Sequence, residues 1–397
     1  MEDEDANGEV TFVVEKDEVT ALVSRVEELQ GAVEPSAYAR ISRIVERYQE
    51  FSQLLDPHLE AWIAPLAAVL RAQARLGDDA DMILVQRVCS VLHAFATVRG
   101  YKTVCKFFPH EAKDLEPVVH LLVRSHDARL SASTIEEADE LGTAWETRAV
   151  LILWLSILVL IPFDLVTVDS EVDGGGDAAA KGDAEAPPVV MRILDLCQSR
   201  YLSDPGIVRD RAAYLLARLL TRPDMPKALA RFLDWAADAL ARAGDSDRSD
   251  AAEAQEAQFL VPGVARALAA IFKLGTRDAL LGVASRAWGD ARDLAASPEA
   301  SGSALVRQLA CKLAQRIGLL FLRPRVVTWR YERGARSLSD TLKPKTGAEQ
   351  TEAAKEAESE YEDEDEDELD DVPYEIEEVV ESLLGALADK DLSLIHI

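Results

Sequence analysis

The chain has 397 residues, 48% of them hydrophobic and 29% charged, enough to bury a sizeable core and too apolar for global disorder. At ~150 residues per domain the length predicts two or three domains or one elongated array. Against 71 Asp and Glu stand only 43 Lys and Arg, a formal charge of −28, which argues against a general nucleic-acid binder and against adsorption to anionic membranes.

Residues 1–20 read as an acidic, disordered N-terminus. They have neither the basic and apolar regions of a signal peptide nor the arginines of a transit peptide. Residues 21–168 follow as a first block of helical repeats. Leu84, Val88, Val91 and Phe95 stand at the spacing that keeps one helix face apolar. Val98-Arg99-Gly100-Tyr101-Lys102 joins two apolar segments, with Gly100 suited to a helix C-terminus and Tyr101 and Lys102 opening the next helix. Residues 149–161 form the most apolar run. Its thirteen residues, stopped by Pro162, fall short of the ~20 a membrane span needs, so it reads as a fully buried helix.

Residues 169–188 hold three consecutive glycines and Pro187-Pro188, and read as a flexible loop. The second block of repeats, 189–342, carries two further helical stripes: Val208, Ala212, Leu215 and Leu219, then Leu229, Leu233, Ala236 and Leu240. Within it, residues 244–256 and 296–303 read as loops. Residues 343–372 form a disordered acidic linker. Residues 373–391 begin another repeat, with Ile376, Val380, Leu383 and Leu387 on one face. Residues 392–397 read as a non-native tail. Pro57, Pro65, Pro109, Pro117, Pro162, Pro205, Pro223, Pro262 and Pro324 fall at or near ends of the apolar-periodic segments and are read as helix boundaries. The absence of convincing alternating runs makes the chain all-α. Helix pairs stacked side by side, a HEAT/armadillo-like solenoid, are the economical architecture, with a compact bundle as the alternative.

The acidity is concentrated in two stretches. Residues 1–18 hold eight acids and one Lys, and residues 349–381 hold eighteen acids and one Lys, leaving the body nearly balanced. The four cysteines, Cys89, Cys105, Cys197 and Cys311, have no paired spacing and read as buried, reduced thiols of a cytosolic protein. Catalytic signals fail one by one. The glycine run lacks phosphate-loop spacing, His110-Glu111 is followed by Asp114 where a zinc-protease motif needs His, and Cys89 with His93 supplies two ligands of a necessary four. His58 reads as a polar cap before a helix. No catalytic residue, metal site or cofactor is expected.

Binding chemistry is better represented. Residues 312–345 hold nine Lys and Arg against two acids, and interleave arginines with aromatics: Arg325, Trp329, Arg330, Tyr331, Arg333 and Arg336. With Arg99, Tyr101 and Lys102 they form the candidate partner-binding set, each weighed against a plain structural role.

Several strings in order carry a resemblance: YQEFSQLLDPHLE from Tyr48, VRGYKTVCKFFPHEAKDLEPV from Val98, WETRAVLILWLSILVLIPFD from Trp145, RDRAAYLLARLLTRPDM from Arg209, and KLAQRIGLLFLRPRVVTWRYERGARSL from Lys312. DVPYEIEEVVESLLGALADKD closes the series. The sequence resembles the N-terminal part of the tubulin-folding cofactor D family. The resemblance implies a HEAT/armadillo solenoid and a non-enzymatic cytoplasmic chaperone associated with the microtubule cytoskeleton. The implied partners are β-tubulin, tubulin-folding cofactors C and E and an Arf-like small GTPase, with a GTPase-activator role inside the complex. Neither nucleic acid nor a membrane span is implied. A generic α-solenoid scaffold for another cargo is the competing reading.

Overall fold

The computed structural model describes residues 13–131, 144–168, 187–244, 251–322 and 374–386. All regular structure among them is helical, with no strand. The chain divides into two compact units at Thr276 and Arg277. That division falls inside the block read from sequence as 189–342.

In the first unit the helices are α1 (Lys16–Glu28), α2 (Pro35–Glu46), α3 (Leu59–Leu76), α4 (Met82–Phe95), the single turn α5 (Tyr101–Val104) and α6 (Leu115–Ser131). They continue as α7 (Trp145–Leu158), α8 (Pro188–Leu196), α9 (Ile207–Leu220), α10 (Pro226–Gly244) and α11 (Ala251–Leu274). Packing skips along the chain. α1 lies on α3 and α2 on α4, α4 meets α7, and the series runs on through α9 to α11. α3 likewise meets α6, and α6 meets α8. Through α9, long helices therefore alternate between two layers, each burying its apolar stripe against the neighbours before and after it, which is the packing of a helical-repeat stack.

α7 is at the centre. Its sequence is apolar almost all round, and a helix of that kind must be covered on every side. It packs on α4, α6 and α9, and Ala149 to Ser156 are all buried. The helix stops at Leu158, earlier than the apolar run suggests, and Leu160 is exposed in the turn that follows. By length and composition alone, Met82–Phe107 is one run among the described residues able to cross a membrane. It is broken by a π-turn, Ala96–Gly100, and most of its apolar window is buried inside the fold.

Other expectations are corrected in detail. Pro65 and Pro262 lie inside α3 and α11 rather than at boundaries, while Pro35, Pro188 and Pro226 open helices, where a missing N–H costs nothing. The buried stripe of α10 is Ala228, Phe232, Ala236 and Ala239 with Leu240. Leu229 and Leu233 sit on its flank, because the aromatic ring of Phe232, stacked near Trp235, takes the most enclosed position. Residues 251–256, read as loop, are the first turns of α11. His58 makes no side-chain cap and lies instead against the Trp62 ring. Cys89 and Cys197 are buried, but Cys105 and Cys311 are only half-buried, on helix flanks. Gly100 has φ +94°, as a left-handed helix end requires.

The second unit contains α12 (Arg277–Ala296), the short α13 (Pro298–Gly302), α14 (Ala304–Phe321) and α15 (Tyr374–Ala386). α13 falls in the span 296–303 read as loop, and is opened by the Ser297 hydroxyl accepting from the Ala300 N–H. α12 packs on α14, and α14 on α15. Gly318 of α14 leaves a notch filled by Val379, so Val379 is buried and Val380, placed on the inner face by sequence spacing, is exposed. The indole of Trp288 donates to Glu378 at 2.7 Å and fastens α15 to α12. The acidic segment 343–372 and Leu387 lie outside the described residues.

Candidate protein-binding surface

A basic and aromatic band runs along the first unit from the Gly100 corner down α9. The left-handed glycine turns the chain so that Tyr101 and Lys102 start a new helix over α9. There the Tyr101 ring meets Tyr214 edge-on at 5.7 Å between centroids. The Arg211 guanidinium lies 3.7 Å from the centre of the Tyr101 ring, and Arg218 lies 4.6 Å over Tyr214. These three α9 residues recur at helical spacing on a stripe beside the buried one. Arg211 is 8% exposed, and burial holds its guanidinium below the ordinary value. Burial pushes the nearby Cys105 thiol up to about 11, with Arg211 and Arg218 drawing it the other way. The thiolate is therefore scarce at neutral pH, and the cysteine is a packing residue rather than a nucleophile.

At the far end of the band the turn after α7 is pinned by one side chain. Arg222 donates to the carbonyls of Val159 at 2.6 Å, Ile161 at 2.9 Å and Phe163 at 2.8 Å, and forks onto Asp224 with two bonds of 2.8 Å. The same Asp224 accepts from the Leu165 N–H at 3.2 Å. Burial alone would raise this carboxyl, but the bonds from Arg222 and Leu165 outweigh it and hold it below its ordinary value. So braced, the turn exposes Leu160, Phe163 and Val166, with Phe163 61% exposed. Leu160, Phe163, Arg218 and Arg222 line a cavity of about 410 Å³.

Of the residues singled out from sequence, the structure brings Tyr101 and Lys102 into this band. Arg99 is committed to a bidentate pair with Asp56. Arg325, Trp329, Arg330, Tyr331, Arg333 and Arg336 lie outside the described residues. Sequence reasoning missed Lys106, Arg211, Tyr214, Arg218 and Arg222, although the last four recur three or four residues apart in RDRAAYLLARLLTR and a search for a second, basic stripe finds them. Among the described residues no group of three His, Cys, Asp or Glu is placed to hold a metal ion. His93 lies edge-on to Trp145, and Glu111 and Asp114 are ion-paired with Arg71.

A layered stack of helices of this kind, carrying an exposed basic, aromatic and apolar surface, defines a helical-repeat protein of the armadillo type. Comparison with known families agrees. The armadillo repeats of tubulin-specific chaperone D-like proteins match residues 45–240, and the second armadillo region of the same proteins matches 305–395. The chain belongs to the tubulin-specific chaperone D-like family. Among curated relatives, "Tubulin-specific chaperone D" of Dictyostelium discoideum is 26% identical over 81% of this chain and 27% of its own length. "Tubulin-folding cofactor D" of Schizosaccharomyces pombe is 23% identical over 49% of this chain and 15% of its own length. The chain thus spans about a quarter or less of these relatives. No solved structure matches it significantly.

Proposed function

We propose that this chain is a cytoplasmic tubulin-folding cofactor acting by binding rather than by catalysis. Its cargo is β-tubulin, which it holds during assembly and disassembly of the αβ heterodimer. Cofactors C and E and an Arf-like small GTPase complete the assembly, and the complex promotes GTP hydrolysis by tubulin. The observation that carries this reading is the family match, which runs in order through both compact units. Stacked helix layers support it physically, since they present a long surface without requiring a catalytic cleft. Partner contacts are assigned to Tyr101 and Lys102 and to the arginine-rich stretch 325–336.

Size-exclusion chromatography of the chain with native tubulin tests this reading. β-Tubulin is expected to move into an earlier peak with the chain. A folded, helical chain that leaves tubulin in its own peak, while eluting with an unrelated cargo, places it among generic solenoid scaffolds.

A further inference from the structure

We infer that the band formed by α5 and α9 is a docking site for an acidic peptide segment carrying one apolar anchor residue. This rests on the chaperone reading only for the identity of the protein that supplies the segment. The chemistry comes from the surface itself.

In a chain with 71 acids against 43 bases, the α5–α9 half of this face is basic; the carboxylates Asp164 and Asp224 lie at the cavity half, where Arg222 takes Asp224 with two bonds. Lys102 and Lys106 are exposed one helical turn apart, and Arg211 and Arg218 stand beneath them on α9. None of the four forms an ion pair with a carboxylate among the described residues. Asp56, whose carboxyl feels Lys106, is taken with both oxygens by Arg99. Arg211 is the sharpest sign. It is a cation more than nine-tenths buried, with an aromatic ring on one side and no carboxylate partner. An unpaired buried charge is costly, and a carboxylate brought to this face offsets that cost.

The apolar half of the site adjoins directly, because Arg218 both covers Tyr214 and lines the 410 Å³ cavity beside Leu160 and Phe163. Arg222 holds that turn rigid before any partner arrives, so little ordering entropy is lost on binding. Anions on the lysines with one aliphatic or aromatic residue in the adjoining cavity is the pattern such a surface fits. A phosphate backbone would satisfy the lysines but leave the Leu160–Phe163 surface uncovered, so a peptide is favoured over nucleic acid.

The test is fluorescence anisotropy of the full chain with a short labelled peptide of glutamates around one phenylalanine. Binding is expected, weakening steeply with salt. The double variant Lys102→Glu/Lys106→Glu should weaken it about tenfold or more, with the circular dichroism spectrum unchanged because both side chains are exposed. Phe163→Ala should weaken the phenylalanine peptide but leave a peptide with alanine at that position unaffected. Absence of binding, or affinity indifferent to both variants, overturns the inference. So does a single-stranded RNA that binds more tightly and is lost in the same variants. A chain that binds the peptide and ignores tubulin supports the site and overturns the cargo reading. Retention of tubulin by the double variant overturns this band as the tubulin contact.

Discussion

Arg222 uses all five of its N–H donors, three on backbone carbonyls of the turn after α7 and two on Asp224. Nothing in Arg222-Pro223-Asp224 read alone predicts this beyond a turn, because the acceptors come from residues about sixty positions earlier. Arg222→Ala leaves Asp224 and those carbonyls short of partners, and is expected to cost about 3 kcal/mol in a chemical melt. Arg222→Lys should recover little, since a point charge cannot reproduce the planar fork. The thiols give a second reading at this scale. Cys89 and Cys197 are buried, with Cys197 pushed up to about 12 by burial, so neither should react with an aromatic disulfide reagent at pH 8 before unfolding. Native protein should titrate at most the half-buried Cys105 and Cys311, and denatured protein all four.

Among the elements, α7 was readable from its apolar run, and α4 and α9 from their stripes at Leu84–Phe95 and Val208–Leu219. Their apolar residues outnumber any alternative face. In α10 the spacing places Ala236 and Leu240 correctly but gives Leu229 and Leu233 the places that Ala228 and Phe232 take, and in α15 Val379 rather than Val380 is buried, because side-chain size and a glycine notch, not spacing alone, decide which residue enters the core. α11 is the clearest case of tertiary override. Pro262 suggests an end, yet the helix continues through it to Leu274. Gly263, next in line, lies so close to Leu202 that a methyl built there runs into that residue's carbonyl. Gly263→Ala is therefore expected to lower stability by at least ~2 kcal/mol. Gly282→Ala, on an open face of α12, should raise it by ~1 kcal/mol through helix propensity. Thermal melts of the two variants should move in opposite directions.

For the whole molecule, charge decides the response to acid. Hydrogen bonds from Arg71 and Lys113 hold Glu111 down at about 2, and Asp56 is lowered by its bond to Arg99. Glu15 is lowered chiefly by its bond from Tyr48. A carboxyl whose folded value is depressed stabilises the fold above its unfolded value and loses that contribution as the pH falls towards the folded one. The melting temperature should be flat from pH 7 to about 5 and decline between about 4 and 2. Each exposed pair adds little, so the decline should be gradual, and salt should shrink it. A melting temperature constant to pH 3 would show that these pairs contribute nothing to stability.

The all-α class, the helical stack, the buried helix within the apolar run and the family resemblance were determined by the sequence alone, though the run's last residues, with Leu160 exposed, leave that helix. They follow from 3.6-residue periodicity and from strings of adjacent residues, both of which are read along the chain without knowing its neighbours in space. The choice of buried residues in α10 and α15, the passage of α11 through Pro262, and the band joining Lys102 and Lys106 to Arg211, Tyr214 and Arg218 were decided only by tertiary structure. Tyr101 and Tyr214 stand more than a hundred residues apart, and no local pattern records that their helices cross. What joins them is the mutual burial of α4, α7 and α9, a property of the packed stack rather than of any one segment.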